Sequence, residues 1–230
     1  MKDRSITAKD NPGFQTLVIL GAGHFGRRAA KVLGNKVSGP LLVVDKNEQA
    51  LKRLKDAGVH VIKDDAVDYL VRNQGVLSPD TKIVPAVPFH LAWLFARRVL
   101  DEKGYSIKVV QIPDQIKASL PHVWVAGDGS FLISYADFRC PDDCPEPPYC
   151  TVTGQRRDKS LYKVLQDIVV EPFTVYVIRS RQMAPGVGGY GMGDLLRLCS
   201  VLEHAGPGKW LVGTACKCHG VLSALDVRYN

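Results

Sequence analysis

The glycine-rich segment near the amino terminus constrains the fold more than any other part of this 230-residue chain. It reads Thr16-Leu17-Val18-Ile19-Leu20-Gly21-Ala22-Gly23-His24-Phe25-Gly26, and residues 27–33 then have a helical pattern. A strand, a Gly-x-Gly-x-x-Gly turn and a helix in this order are typical of a dinucleotide-binding unit. We expect Gly21 to permit the sharp turn, Gly23 to let a pyrophosphate approach the backbone, and Gly26 to let helix and strand pack closely. The phosphates would lie at the helix N-terminus, where free N–H groups and the dipole favour negative charge.

A second apolar run, residues 41–44, ends in an acidic residue, Asp45. Asp45 follows Gly26 at about the 20-residue spacing expected of a carboxylate that binds the ribose hydroxyls. A carboxylate repels a 2′-phosphate, so Asp45 favours NAD(H) over NADP(H), although the adjacent Lys46 weakens that preference. The alternative is a glycine-rich turn in a fold that has lost its ligand.

Strands and helices alternate through the first half of the chain. A helix is predicted over 46–57, a strand over 59–62, a helix over 68–73 and a strand over 82–88. The order βαβαβ predicts an α/β fold with a Rossmann-like parallel sheet and right-handed crossovers. A fifth strand is predicted over 107–112, so residues 1–118 are expected to form the dinucleotide-binding domain, with residues 1–15 as a loose arm.

Three segments of this half resemble the TrkA-N domain: residues 18–26, residues 43–47 and residues 61–66. TrkA-N is the NAD(H)-binding regulatory module of bacterial potassium-uptake systems, also called the RCK domain. The resemblance implies dinucleotide binding and a membrane transporter subunit as a candidate partner. It also adds candidate dinucleotide contacts. These are His24, Phe25, Lys46 and Asp65. The sequence departs from the family pattern at Lys63, where a glycine is usual. We also expect that the chain could form a homo-oligomer.

Composition and charge limit the classes of function. The chain is 46% apolar with no run near the ~18 apolar residues that would span a bilayer. Its polar start carries no apolar signal segment, so a cytoplasmic protein is expected. The net charge of +7 is scattered, without a dense basic stripe, so no clear nucleic-acid surface is predicted. Anionic small molecules would explain this charge as well.

His90 is a weak candidate for a catalytic residue. It follows Pro88 at the start of a helix predicted over 89–99, near the edge of the sheet where α/β folds bind ligands. There it could contact a nicotinamide or a substrate. The segment Pro-Ala-Val-Pro-x-His is also similar to a loop of saccharopine-dehydrogenase-type reductases. A helix-start histidine without chemistry is the favoured interpretation.

Residues 119–230 are predicted to form a smaller α+β domain that contains all six cysteines. Cys140, Cys144 and Cys150 lie in one proline-rich loop, which would hold their side chains at fixed separations. A [4Fe–4S] cluster or a tetrahedral zinc site needs four ligands. Cys218 is the preferred fourth ligand, followed by Cys216, with His219 as an alternative. Iron–sulfur is preferred over zinc, and free cysteines are the third possibility.

A second glycine-rich segment, residues 185–193, precedes a helix that is predicted to begin at Asp194 as its N-cap. Two interpretations are open. The segment is either an anion-binding loop or mobile lid, or a long flexible connection.

Three hypotheses for function follow. The first is an NAD(H)-binding protein with a regulatory or redox-sensing role, linked to potassium uptake through the resemblance and carrying a cysteine-ligated metal or iron–sulfur site. The second is an NAD-dependent oxidoreductase acting on a small anionic substrate. The third is a structural module held together by a metal. The first is preferred, because the sequence lacks an obvious catalytic constellation.

Overall fold

The computed structural model describes residues 14–54 and 58–229. The helices are α1 (His24–Leu33), α2 (Glu48–Lys52), α3 (Ala66–Asn73), α4 (Leu91–Glu102), α5 (Asp114–Ala118), α6 (Leu161–Gln166) and α7 (Met192–Ala205). The strands are β1 (Leu17–Leu20), β2 (Leu41–Asp45), β3 (His60–Lys63), β4 (Lys82–Pro85), β5 (Tyr105–Val110), β6 (His122–Val125), β7 (Phe131–Ser134), β8 (Phe173–Arg179), β9 (Arg181–Ala184), β10 (Val187–Gly191), β11 (Gly208–Ala215) and β12 (His219–Tyr229). The arm predicted over 1–15 and the end of the helix predicted over 46–57 fall largely outside the described residues.

The first sheet has the strand order β3-β2-β1-β4-β10-β9. Its first four strands are parallel, with Leu17 of β1 aligned to Leu41 of β2 and to Lys82 of β4. All four residues of β1 are buried, because helices cover both faces of a parallel sheet. The predicted Rossmann-like α/β fold is confirmed, and the chain order reverses between β1 and β4.

The glycine-rich segment 185–193 belongs to this sheet. β10 pairs antiparallel with β4, and β9 pairs antiparallel with β10. A Cβ atom at Gly189 would lie 2.3 Å from the carbonyl oxygen of Ile83, so glycine is needed for the two strands to approach. The segment is not the long flexible connection of the second interpretation, because it forms a hairpin that extends the sheet, and a role as an anion-binding loop or mobile lid stays a prediction.

The second sheet has the order β6-β7-β12-β11-β8, and β5 also pairs with β12. The 11-residue β12 is long enough to pair with β7 along its first half and with β5 along its second half. β5 therefore lies in the second sheet and not beside β4, where β10 takes the neighbouring position. The division of the chain near residue 118 stays a prediction.

The core forms three clusters that define the layers of the molecule. The central cluster joins β1, β2 and β4 to the second sheet through α3, α4 and α7. A second cluster packs α1 and α2 on the outer face of the first sheet. A third packs α5 and α6 on the outer face of the second sheet. The two sheets are thus held in a fixed relation, with helices between them.

Helix α7 begins directly after β10. Its N-cap is Gly191, and the Asp194 carboxylate accepts the Gly191 N–H at 2.9 Å. Asp194 therefore lies in the first turn and is not the N-cap that the sequence predicts. None of the helices within the described ranges is long and apolar enough to cross a membrane.

Candidate functional site

The glycine turn joins β1 to α1 with almost no room for side chains. Gly21 has φ +104°, and a Cβ there would lie 2.3 Å from the carbonyl oxygen of Ala86. A Cβ on Gly26 would lie 1.8 Å from the carbonyl oxygen of Gly21. Both positions therefore require glycine, one for the turn and the close approach of the chain after β4, the other for the packing of α1 on the turn.

Gly23 differs from the other two glycines. It is the N-cap of α1 with φ −68°, and a Cβ there would meet no atom within 4 Å. The space beside it is open at the N-terminus of α1. The helix dipole and the free N–H groups favour an anion at such a position.

Asp45, at the end of β2, is bonded to the glycine turn. Its Oδ2 accepts the N–H of Ala22 at 2.6 Å, and its Oδ1 accepts the N–H of Asn47 at 2.7 Å. The half-buried carboxylate therefore lies at the carboxyl edge of the sheet, beside the turn. This is the place where a ribose-binding acid is expected.

Two of the other candidate dinucleotide contacts pair with each other. Lys46 Nζ lies 3.2 Å from Asp65 Oδ2, and Asp65 Oδ1 accepts N–H groups of Val67 and Asp68. Asp65 thus caps α3, which is a structural role. A dinucleotide contact for Lys46 and Asp65 stays a prediction.

The cysteine-rich loop, defined here as residues 140–150, lies against the glycine turn. His24 Nε2 is 2.6 Å from Asp142 Oδ2. The hydrogen bond from His24 holds the pKa of Asp142 below its usual value. The carbonyl oxygen of Cys144 also accepts bonds from Gly186 N–H and the Gln182 amide, at 2.9 and 2.8 Å. The loop is therefore attached both to α1 and to the β9–β10 hairpin.

A cavity of about 530 Å³ lies between these elements. Phe25 of the glycine turn and Pro85 at the end of β4 line one side. The cysteine-rich loop, the β9–β10 hairpin and the turn between β11 and β12 line the rest. Ligands bind in α/β folds outside the carboxyl ends of the strands, where the strand order reverses. Pro85 places the cavity beside the carboxyl end of β4, next to that reversal, and the cysteines lie on its other side.

Among residues 14–54 and 58–229, one compact group of three side chains could hold a metal ion. It consists of Glu146, Cys216 and His219, whose donor atoms lie within 4.8 Å of one another. Cys216 Sγ is 3.9 Å from His219 Nδ1, and Cys140 Sγ is 3.6 Å from His219 Nε2. All four side chains line the cavity. Carboxylate, thiolate and imidazole together are zinc ligands.

Glu146 is held in an unusual backbone conformation. Its φ is +49°, and within the described ranges no other non-glycine residue has a positive φ. Its carbonyl oxygen accepts a bond from Lys217 Nζ at 3.2 Å. Non-glycine residues in this region cluster at functional sites. The sequence does not predict Glu146 as a site residue; the signal that could have found it is a carboxylate between two prolines in a loop of cysteines.

Cys216 Sγ is the acceptor for two backbone N–H groups, those of Cys218 at 3.4 Å and His219 at 3.3 Å. Burial, with Glu146 beside it, nevertheless raises the pKa of the Cys216 thiol to about 12. The protein by itself therefore keeps this thiol protonated. A bound cation would supply the charge that ionises it, since metal ligation releases the thiol proton.

The four cysteines predicted as ligands are not members of this group. Within the described part of the chain, the thiols of Cys140, Cys144, Cys150 and Cys218 form no group as compact as the three side chains above. Burial raises the pKa of Cys140, and Cys144 and Cys150 add to the effect. Burial likewise raises the pKa of Cys218 to about 12. Ligation of a metal by these four cysteines stays a prediction.

Cys150 has the opposite electrostatic environment. The N–H and hydroxyl of Thr153, with the N–H of Val152, lower its pKa to about 7. A thiol of that pKa is substantially ionised at neutral pH and reacts readily with oxidants. All six cysteines lie in the described residues and are free thiols.

His90 lies between the two sheets, at the start of α4. Its Nδ1 is 2.8 Å from Ser223 Oγ and its Nε2 is 3.0 Å from Thr214 Oγ1. The side chain is buried, and burial lowers its pKa to about 3. Both ring nitrogens are occupied by neighbours and His90 does not line the cavity, so this geometry favours a packing role.

Comparisons with known proteins agree with a two-part chain. The model of the TrkA-N domain matches residues 17–74, which confirms the resemblance of the glycine turn and the first three strands. A protein of Archaeoglobus fulgidus described as "Uncharacterized protein" is 28% identical over 223 residues, covering 90% of this chain and 98% of that protein. The model of the family AF_1314_C, described as "Uncharacterized protein, C-terminal domain", matches residues 90–228. That match covers more than half of the chain, which therefore belongs to the AF_1314_C family.

Proposed function

We propose that this protein binds NAD(H) at the glycine turn and has a regulatory or redox-sensing role, in which the cysteine-rich loop responds to the dinucleotide. The observation that carries the proposal is the shared cavity. Phe25 of the turn and Cys140 of the loop line the same space of about 530 Å³. A nicotinamide that extended from the turn past β4 would enter it.

The geometry of the turn supports the dinucleotide half of the proposal. Gly23 faces open space at the N-terminus of α1, and Asp45 lies beside the turn at 2.6 Å from the Ala22 nitrogen. Together they offer a site for a pyrophosphate and an acceptor for ribose hydroxyls. The match of residues 17–74 to the TrkA-N domain adds support.

The environment of the thiols supports the sensing half. Cys150 is held at a pKa of about 7, whereas burial and its neighbours raise that of Cys218 to about 12. Cys150 also acts electrostatically on Cys140 of the same loop, and an ionised thiol near a second thiol is the usual composition of a redox-responsive site. A [4Fe–4S] cluster or zinc on Cys140, Cys144, Cys150 and Cys218 would serve the same role.

The decisive experiment is the substitution Gly23→Ala, followed by titration with NADH. The added methyl would meet no protein atom within 4 Å, and φ −68° suits alanine, so the fold should be unchanged. We expect the dissociation constant for NADH to rise about tenfold or more, because the methyl occupies the approach of the pyrophosphate. Gly34→Ala, also in open space, is the matched control and should bind NADH normally.

Two results would contradict the proposal. If the wild-type chain fails to bind NADH or NAD⁺, or if Gly23→Ala binds as well as wild type, the dinucleotide site is wrong. If NADH binds but leaves the alkylation rates of Cys140 and Cys144 unchanged, the dinucleotide does not act on the loop.

An NAD-dependent oxidoreductase acting on a small anionic substrate is the second candidate, favoured by an arginine in the lining of the cavity. Arg139 lines it together with His219 and Gln182, and a guanidinium can bind a small carboxylate. NADH oxidation would be assayed against a panel of small keto acids. If the chain oxidises NADH with one of these acids, and Arg139→Gln lowers that rate, the result supports this candidate. If no acid in the panel is reduced, the binding function remains preferred.

Several partners stay predictions. The predicted partners are a membrane transporter subunit and a second copy of the chain in a homo-oligomer. A link to potassium uptake and a cytoplasmic location are predictions as well. Co-purification of the chain with membrane proteins of its source, with and without NADH, would test the transporter partner and the link to potassium uptake.

A further inference from the structure

We propose that Glu146, Cys216 and His219 bind a single Zn²⁺ ion whose fourth position opens into the cavity. This three-ligand site goes beyond dinucleotide binding, and it uses ligands other than the four cysteines that the sequence favours. It requires no NAD(H) and can be tested without it.

The separations between the donor atoms fit one ion. The three donors lie within 4.8 Å of one another, and Cys216 Sγ is 3.9 Å from His219 Nδ1. Zinc–sulfur and zinc–nitrogen bonds of about 2.3 and 2.0 Å place tetrahedral ligand pairs nearly this close. Side-chain movements of up to about 1 Å would bring the three donors to tetrahedral separations.

The second nitrogen of His219 also has a partner. With Nδ1 on the metal, Nε2 carries the proton and donates to Cys140 Sγ, 3.6 Å away. A metal-ligating histidine usually makes such a bond through its other nitrogen, which fixes the ring orientation. Cys140 therefore positions His219 and does not itself ligate the ion.

The backbone supports each anionic ligand. N–H groups of Cys218 and His219 point at Cys216 Sγ at 3.4 and 3.3 Å. Glu146 is held at φ +49° between two prolines, in a loop tied to Gly186 and to Lys217. The loop and the β11–β12 turn thus bring the carboxylate to the thiol, although 70 positions separate Glu146 from Cys216 in the sequence.

The number of ligands indicates the kind of site. Structural zinc sites have four protein ligands, whereas catalytic zinc sites have three protein ligands and one open coordination position. Glu146, Cys216 and His219 all line the cavity. Water, or an oxygen atom of a small molecule in the cavity, would occupy the fourth position. The mixed carboxylate, thiolate and imidazole set favours zinc over Mg²⁺ or Ca²⁺, which prefer oxygen ligands.

The test measures Co²⁺ and Zn²⁺ binding to the full-length, chelator-treated chain under reducing conditions. We expect one ion per chain and a thiolate-to-cobalt charge-transfer band. Cys216→Ser and His219→Gln should each weaken zinc binding about 100-fold or more, and Glu146→Gln should weaken it about tenfold or more. Asp143→Asn, in the same loop, is the matched control and should bind normally. Cys144→Ser and Cys150→Ser test the four-cysteine alternative, and in the three-ligand site they should leave the zinc affinity unchanged. Azide should change the cobalt spectrum by entering the open position.

A second measurement uses the wild-type chain and does not depend on the folding of variants. Zinc should leave the alkylation rate of Cys150, mapped by mass spectrometry, unchanged within about twofold, because this reactive thiol is not a ligand of the ion. Equal protection of Cys144, Cys150 and Cys218 would overturn the proposal in favour of a four-cysteine site. No bound zinc, or loss of zinc in Cys150→Ser with retention in Cys216→Ser, would also overturn it. Because NADH is absent throughout, none of these results bears on the dinucleotide proposal.

Discussion

His24 Nε2 and Asp142 Oδ2 lie 2.6 Å apart, although 118 positions separate them in the chain. His24 begins the helix after the glycine turn, and Asp142 lies in the cysteine-rich loop. This pair joins the part of the molecule that carries the dinucleotide motif to the part that carries the thiols. Both side chains are at least one-third exposed, so the pair is a solvent-screened contact that can open.

We expect Asp142→Ala to loosen the cysteine-rich loop without unfolding it, because bonds to Cys144 and Glu146 remain. Alkylation of Cys140 should become about two to five times faster, the range expected for losing one exposed ion pair. The rate is measured by mass spectrometry after timed exposure to iodoacetamide. Asp143→Ala removes the neighbouring carboxylate and should not change it. Equal rates in all three proteins would show that the His24–Asp142 pair does not restrain the loop.

Asp45→Asn should weaken NADH binding about tenfold, since the amide cannot replace a carboxylate as acceptor for two ribose hydroxyls. The amide oxygen can still accept the Ala22 N–H, and only the exposed bond to the Asn47 N–H is lost, so the thermal midpoint should fall only slightly. Affinity for NADH and NADPH is measured by fluorescence titration. The ratio of the affinities for NADH and NADPH should decrease, because the charge that repels the 2′-phosphate of NADPH is gone. Asp80→Asn, at the opposite edge of the sheet, serves as control; identical affinities would place the ribose elsewhere.

Gly26→Ala should destabilise the fold itself. The added Cβ would lie 1.8 Å from the carbonyl oxygen of Gly21, so backbone must move. We expect a loss of about 2 kcal/mol or more in the free energy of unfolding, and a fall of about 4 °C or more in the thermal midpoint. Gly34→Ala, with helical φ −49° and open space around it, should be neutral or slightly stabilising. A Gly26→Ala protein as stable as wild type would mean that α1 does not pack as described.

Stability should fall in mild acid because of His90. Burial lowers the pKa of His90 to about 3 in the folded protein, from 6.5 in the unfolded chain. Below pH 6.5 the unfolded chain therefore takes up a proton that the folded one does not. The free energy of unfolding should drop by up to about 1.4 kcal/mol per pH unit between pH 6.5 and 3. Above pH 6.5 this contribution is complete.

Urea unfolding at pH 7.0, 5.5 and 4.5 measures this slope. In His90→Gln the amide can still bond to Ser223 and Thr214, but the titrating group is gone, so the slope should be smaller. The exposed His122→Gln is the matched control and should keep the wild-type slope. If His90→Gln and wild type lose stability in parallel, the buried histidine is not the source.

The sequence predicts most of the first sheet because the signals there are local. The end of β1 is specified by the apolar run and the glycine turn after it, and the end of β2 is specified by Asp45. Parallel strands with short connections can then form only a few sheet topologies. The structure of residues 185–193, a hairpin that joins the first sheet, could not be predicted from such local signals. Gly189 gives no indication that it must pass within reach of Ile83, because that contact joins residues far apart in the chain.

The candidate site shows the same division. The spacing of the cysteines identifies the loop and the β11–β12 turn as places for a metal, and it includes Cys216 and His219 only as alternatives. The compact group contains both, together with Glu146, because the hairpin geometry turns Cys216 and His219 toward the loop. Cys218 instead is buried.

The sequence by itself determined the glycine turn, the parallel α/β half and the presence of a thiol-rich second half, since each depends on residues close together in the chain. Only the tertiary structure decided that Asp142 reaches His24, that β10 extends the first sheet, and that Glu146 joins Cys216 and His219 at the cavity. These contacts depend on how the two sheets pack through α4 and α7, and such packing is set by the whole core and not by any single motif.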